Sequence, residues 1–160
     1  MSQSEQVSGN EKRKIRSTTR LYAIQALFQM EQLGLSTDEV VDEFVVHRFG
    51  EEYEEGQLSD GDEALFKSIV ESAVNYQAYI DQLTDRALVK KWPIARIDPT
   101  LRSLFRAAAA EITQIKTPPK IVITEYVALA HAFFTDGKEP NFVNAVLDHM
   151  AREVCPTEFS

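Results

Sequence analysis

Apolar side chains recur at intervals of three and four along most of the chain, and that period constrains the fold more than any motif. Between residues 65 and 74 they are Leu65, Phe66, Ile69, Val70, Ala73 and Val74. Placed 100° apart, they share one face of a helix, and the stripe continues through Ile80 and Leu83. The same spacing links Leu21, Ile24, Leu27 and Phe28, then Val40, Val41, Phe44 and Val45, then Leu101, Leu104, Phe105, Ala108 and Ile112. Only Ile121-Val122-Ile123-Thr124 has the β-branched content of a strand. A lone strand has no partner elsewhere in this chain. Val122, Tyr126, Leu129, Ala130 and Phe133 instead fall on one helical face, so a helix is predicted there too. The expected fold is all-α, six to seven helices with short connections and no internal repeats.

Local start and stop signals divide these helices. Gly34 ends the first. Ser36 followed by Glu39 is a capping-box signature for the second, which stops at Gly50. An acidic loop, residues 51–63, precedes a third helix that Asp60 and Glu63 can cap. Lys90-Lys91-Trp92-Pro93 marks a break. Asp98 then supplies an N-cap and Pro99 the first helical position, where a missing N–H costs nothing. Four alanines, Ala107 to Ala110, favour helix and permit a close helix–helix approach. Thr117-Pro118-Pro119 ends that helix, and the last one runs from about Pro140 to Val154. Residues 1–11 are expected to be a disordered polar tail. Residues 12–155 form a single helical domain, with an N-terminal bundle at 12–88 and a C-terminal bundle at 89–155, and 156–160 are a short tail.

A chain of 160 residues, 44% hydrophobic and 26% charged, can bury a core without disulfides or a metal. Cys155 is the only cysteine, which excludes disulfide scaffolds and cysteine-rich zinc sites and fits a reducing cytoplasm. No apolar run approaches the roughly eighteen residues of a membrane span, and no charged-then-apolar leader is present. Gly-rich phosphate loops, the Rossmann fingerprint, HExxH and CxxC are all missing. His47, His131 and His149 are scattered without a second ligand at metal spacing. Acid pairs such as Asp38/Asp42 and Glu51/Glu54 read as solvated charge rather than a catalytic dyad. The residues point away from an enzyme and give no sign of a metal, a cofactor or a small-molecule substrate.

The net charge of −8 argues against a nucleic-acid ligand, but its distribution does not. Lys12, Arg13, Lys14, Arg16 and Arg20 are five of the 17 basic residues. Local potential governs binding over one Debye length, about 8 Å at physiological salt. Composition alone leaves two readings, a polyanion site or a solubilising stretch near the chain end. On a helix extended backward, Arg13, Arg16 and Arg20 stand at i, i+3 and i+7 and form a ridge. Guanidinium groups there suit phosphate and can stack on bases, which makes single-stranded RNA a fitting ligand.

A second candidate region spans residues 136–144. A helix start offers free N–H groups to an anion, and Lys138 adds a cation beside Asn141. Val143, Val146, Leu147, Met150 and Val154 share one arc, with Phe142 at one edge and Asn144 beyond the other. Phe142 can close the top of the core, or stack on an unpaired base for about 1–3 kcal/mol. Geometry alone favours the core.

Four segments in this order resemble the NusB family (N-utilization substance protein B) of bacterial transcription antitermination factors. They are RLYAIQALFQME, ARIDPTLRSLFRAAAAEI, TEYVALAHAFF and NFVNAVLD. The last two are the most specific, being similar to the family's N-E-x-V/I-E-L-A-K-x-F and F-V-N-G-V-L-D motifs. The resemblance implies two small helical bundles packed together and a non-catalytic role in the cytoplasm. It further implies pairing with NusE, a small-subunit ribosomal protein, and binding of single-stranded boxA RNA in nascent ribosomal RNA transcripts, within the RNA polymerase antitermination complex. On the matching positions it makes Arg16 and Arg20, with Lys12, Arg13 and Lys14 upstream, the basic RNA-binding cluster. Phe142, Val143 and Asn144 become its second RNA-binding element, next to Lys138 and Asn141. The resemblance moves Phe142 toward a role shared between packing and RNA contact. Phe28 stands where the family often has Tyr, and it is either a NusE contact or a core residue.

Several positions depart from the family pattern. The arginine cluster is interrupted as Arg16-Ser17-Thr18-Thr19-Arg20, so Lys12 to Lys14 must supply the missing charge. Ala145 replaces a glycine, Thr124 an asparagine, and Lys138 stands in a region that is often acidic, favouring RNA binding by the protein alone. Acidic partner-side residues of some relatives have no counterpart at Pro99 to Leu101. Two alternatives stay open. One is the NusB-like domain of a ribosomal RNA methyltransferase, which calls for a catalytic domain beyond Ser160. The other is a helical protein-binding module whose basic stretch is incidental.

Overall fold

The computed structural model describes residues 9–49, 60–88, 97–135 and 137–159. Expectations for Gly50, for the acidic loop at 51–59 and for Lys90-Lys91-Trp92-Pro93 lie outside the described residues. Among the described residues there are seven α-helices and no strand: α1 (Gly9–Leu33), α2 (Thr37–Phe44), α3 (Asp60–Asn75), α4 (Gln77–Ala87), α5 (Pro99–Ala110), α6 (Pro119–Phe133) and α7 (Glu139–Val154). A π-helical turn prolongs α2 (Val45–Phe49), another prolongs α5 (Glu111–Ile115), and a 3₁₀ turn follows α7 (Pro156–Phe159). The β-branched stretch 121–124 lies inside α6. Burial of Val122, Tyr126, Leu129 and Ala130 overrides its strand propensity, because packing outweighs intrinsic preference.

Helix ends follow local chemistry. Gly34 closes α1 at φ +69°, a left-handed value that glycine adopts without a Cβ clash, and donates to the Met30 carbonyl at 2.9 Å. The Ser36 hydroxyl accepts from the Glu39 N–H at 3.2 Å, and the Glu39 carboxylate accepts from the Ser36 N–H at 3.4 Å. The capping box is therefore complete. Ser36→Ala is expected to cost about 1 kcal/mol, read as a lower urea midpoint with an unchanged slope. Asp98 caps α5 by accepting from Thr100 N–H at 2.7 Å, with Pro99 in the first turn. Lys116 takes a left-handed φ of 67° to end the α5 extension ahead of Thr117-Pro118-Pro119.

The helices pack as two groups that share a seam. α1 packs on α2, α3 and α5, while α7 packs on α4, α5 and α6. Helix α5 touches both groups, and its four alanines are fully buried there, where small side chains let neighbouring backbones approach. Helix α4 lies mainly against α5 and α7 rather than α3. At the front of the chain, α1 already begins at Gly9, so residues 9–11 of the expected tail are helical.

The N-terminal core is aromatic. Phe66 of α3 stacks on Phe44 of α2 at 5.4 Å and meets Phe49 at 5.0 Å, with Tyr22 of α1 edge-on to Phe49 at 5.3 Å. Leu104, Phe105, Ile112, Val143, Leu147 and Met150 close the C-terminal core.

Candidate nucleic-acid interface

The first two turns of α1 run past the start of α6. Between them lies an open groove of about 670 Å³ whose lining includes Arg13, Arg16, Arg20, Leu65, Lys120, Ile121 and Glu125. The ridge read from the sequence is therefore real as a geometric row, since Arg13, Arg16 and Arg20 all border one space. Their environments differ sharply. Lys12, Arg13, Lys14 and Arg16 are exposed, whereas Arg20 is buried at 4% relative exposure.

Arg20 is held from within. Its Nε donates to Glu111 Oε2 at 2.7 Å and its Nη2 to Oε1 at 3.1 Å. Thr117 Oγ1 donates to the same carboxylate at 2.9 Å, and the Tyr126 hydroxyl donates at 2.7 Å. Glu111 is fully buried, and four donors satisfy it, as a buried carboxylate requires. Burial works against the Arg20 charge, but the hydrogen bonds and charge of Glu111 outweigh it and hold the guanidinium above its ordinary range. Burial, then the negative charge of Glu111, pushes the Tyr126 hydroxyl well above the usual phenol value, so it stays a donor. This network joins α1, the α5 extension and α6. A lone glutamate at the end of Arg106-Ala107-Ala108-Ala109-Ala110 was its visible signal in the sequence.

The second candidate region lies at the far end of α6. From Glu125 to the end of that helix at Phe133 is eight residues, about 12 Å at 1.5 Å per residue. None of Lys138, Asn141, Phe142, Val143 and Asn144 lines the arginine groove. Lys138, Asn141 and Asn144 are exposed, Phe142 is half-buried, and Val143 is completely buried. Phe142 sets its ring edge-on to Phe105 at 6.0 Å, a packing contact that leaves part of the ring at the surface. Val143 is core and presents no side chain to a ligand. The Glu139 carboxylate folds back over Gly137 and occupies the space that a Cβ would need there. The start of α7 therefore already carries an anion of its own beside Lys138.

A third surface sits where α1 ends against α4 and α5. Glu31 accepts hydrogen bonds from Arg102 and Arg106, and Arg106 also holds Asp81 through Nε at 3.0 Å and Nη2 at 2.9 Å. These residues, with Leu27, Met30 and Val74, border a groove of about 520 Å³. Phe28 is half-buried on α1 and is not in that lining. The Arg102 hydrogen bond, against burial, draws the Glu31 carboxyl below its ordinary value of 4.5. A carboxyl lowered by folding stabilises fully above that ordinary value, and the contribution disappears as pH falls through the lower folded value. Glu31→Gln is expected to flatten the acid limb of the stability–pH profile below about pH 4.5, measured by thermal unfolding across that range.

No group of three His, Cys, Asp or Glu among the described residues could hold a metal. His47, His131 and His149 are all exposed. No described helix is long and apolar enough to cross a membrane.

The sequence model of the NusB family matches residues 17–152. The chain is 41% identical to the transcription antitermination protein NusB of Granulibacter bethesdensis, over 94% of this chain and 96% of that protein. It is 42% identical to that of Rhodopseudomonas palustris, covering 95% and 90% respectively. Its fold superposes with a TM-score of 0.73, at 25% identity and over 88% and 98% of the chains, on a crystal structure of the antitermination factors NusB and NusE in complex with double-stranded RNA. The family match begins within α1 just after Arg16 and runs into α7, taking in Arg20 and the region at 138–144, and the chain belongs to the NusB family.

Proposed function

We propose that this chain is a non-catalytic transcription antitermination factor of the cytoplasm that binds single-stranded boxA RNA and pairs with NusE in the RNA polymerase antitermination complex. One observation carries the RNA-binding reading: on a chain of net charge −8, exposed Arg13, Arg16 and Lys120 converge on one groove. Lys12 and Lys14 extend the positive surface along α1. Lys138, Asn141, the exposed edge of Phe142 and Asn144 form a second contact at the α6–α7 turn, where Phe142 meets a base and Lys138 a phosphate. Arg20 and Val143 serve the site from inside, Arg20 by fixing α1 against α6 and Val143 by seating α7. Phe28 and the neighbouring groove at the end of α1 are the face offered to NusE.

The test is binding of a boxA-type single strand across a salt series. Affinity is expected to fall steeply as salt rises. Arg16→Ala should weaken binding and reduce the logarithmic salt slope by about one. Phe142→Ala should cost about 1–3 kcal/mol of binding, as a lost stacking contact, and leave the slope unchanged. Wild-type affinity in both variants would overturn the site. Failure to co-purify with NusE would overturn the partner. A purely protein-binding module would show NusE binding with no RNA affinity.

A further inference from the structure

Glu125 reaches the arginine groove from α6. It accepts from Arg13 Nη2 at 3.1 Å and from Arg13 Nε at 3.3 and 3.4 Å. The two partners are unequal, since the Arg13 side chain is 65% exposed and the Glu125 side chain 9%. The same carboxylate lies 3.9 Å from Arg20 Nη1, and Arg20 is itself anchored by Glu111. Arg13 can therefore leave without stranding a buried anion, because Glu125 keeps Arg20 as a counter-charge. Lys120, on the same helix, lines the same groove, is exposed, and has no ion-pair partner among the described residues. Arg16 is in the same position.

We infer that α6 tunes the phosphate site of α1 with two residues of opposite sign. Lys120 adds a phosphate-binding cation, and Glu125 holds Arg13 until an RNA phosphate takes its place. This rests on the RNA-binding reading above. A guanidinium pairs with carboxylate or phosphate through the same fork of N–H groups, so binding exchanges one ion pair for another. Arg13 then contributes less net affinity than Arg16, which has no anion to give up among the described residues. Removing the competing carboxylate releases the full contribution of Arg13.

The experiment measures fluorescence anisotropy of a labelled boxA-type single-stranded RNA with the full chain over a salt series. Glu125→Gln should tighten binding about two- to fivefold, the scale of one exposed ion pair. That gain should vanish when Arg13→Ala is added. Lys120→Ala should weaken binding by a similar factor, about two- to fivefold, and lower the logarithmic salt slope by about one. Arg16→Ala reports on the underlying reading. If it weakens binding while Glu125→Gln is unchanged or weaker, or while Lys120→Ala is unchanged, the inference falls and the RNA site stands. If the wild type shows no salt-dependent binding, both fall. Should Glu125→Gln fail to fold, Arg13→Ala carries the test: a smaller loss than Arg16→Ala supports the exchange, and an equal loss overturns it.

Discussion

Arg20→Ala is expected to destabilise the protein by about 3–5 kcal/mol, the cost of removing one partner from a buried ion pair. The variant leaves Glu111 fully buried with the Thr117 and Tyr126 hydroxyls as its remaining side-chain donors. Neither of them carries positive charge. For a domain of this size the thermal midpoint should drop on the order of 10 °C. Adding Glu111→Gln to the variant should recover part of the loss, since the stranded charge is then gone. A surface arginine that only contacts RNA would behave in the opposite way, with stability within about 0.5 kcal/mol of wild type. Equal denaturation curves for Arg20→Ala and Arg16→Ala would remove the buried network from this account. Arg20→Ala should lose RNA binding through its unfolded fraction and a loosened α1–α6 seam, whereas Arg16→Ala should lose it with stability unchanged.

Phe66→Ala should cost a similar amount, about 3–5 kcal/mol, for a different reason. Phe66 is completely buried and stands between Phe44 and Phe49, with ring centres at 5.4 and 5.0 Å. Truncation opens a cavity where α2 and α3 meet, and the surrounding rings are too rigid to collapse into it. The denaturation midpoint should fall with the slope preserved. A loss under about 1 kcal/mol would mean that the aromatic cluster relaxes freely, contrary to close packing. RNA affinity of the folded fraction should stay at the wild-type value, because neither candidate RNA-binding region includes Phe66.

The two candidate regions differed in how legible they were. At Arg13, Arg16 and Arg20 the helical period was enough to place three guanidinium groups along one row, and they do line one groove. That period did not reveal that Arg20 points at a buried glutamate 91 residues later. It also did not reveal Glu125, which holds Arg13 from 112 residues away. At Phe142 the hundred-degree construction put the ring at the margin of the apolar arc, and the half-buried ring against Phe105 occupies that margin. Val143 illustrates the opposite limit. It belongs to a recognisable motif, yet its side chain is wholly internal, so motif membership did not imply ligand contact.

The caps of α2 and α5 and the stop of α1 were determined by the sequence alone, because they depend on residues within a few positions of one another. The Ser36/Glu39 box, Asp98-Pro99 and Gly34 all act over four residues or fewer, and the period of apolar side chains repeats within each helix. Which cations remain available to a ligand was decided only by the tertiary structure. Five basic residues share one helix, but burial and pairing depend on whichever segment folds across them. Helix α6 and the end of α5 bring Glu125 and Glu111 to α1, turning one arginine into an internal strut, holding a second by a carboxylate, and leaving Arg16 open beside Lys120. Charge is written in the chain, but its exposure is a property of the packed helices.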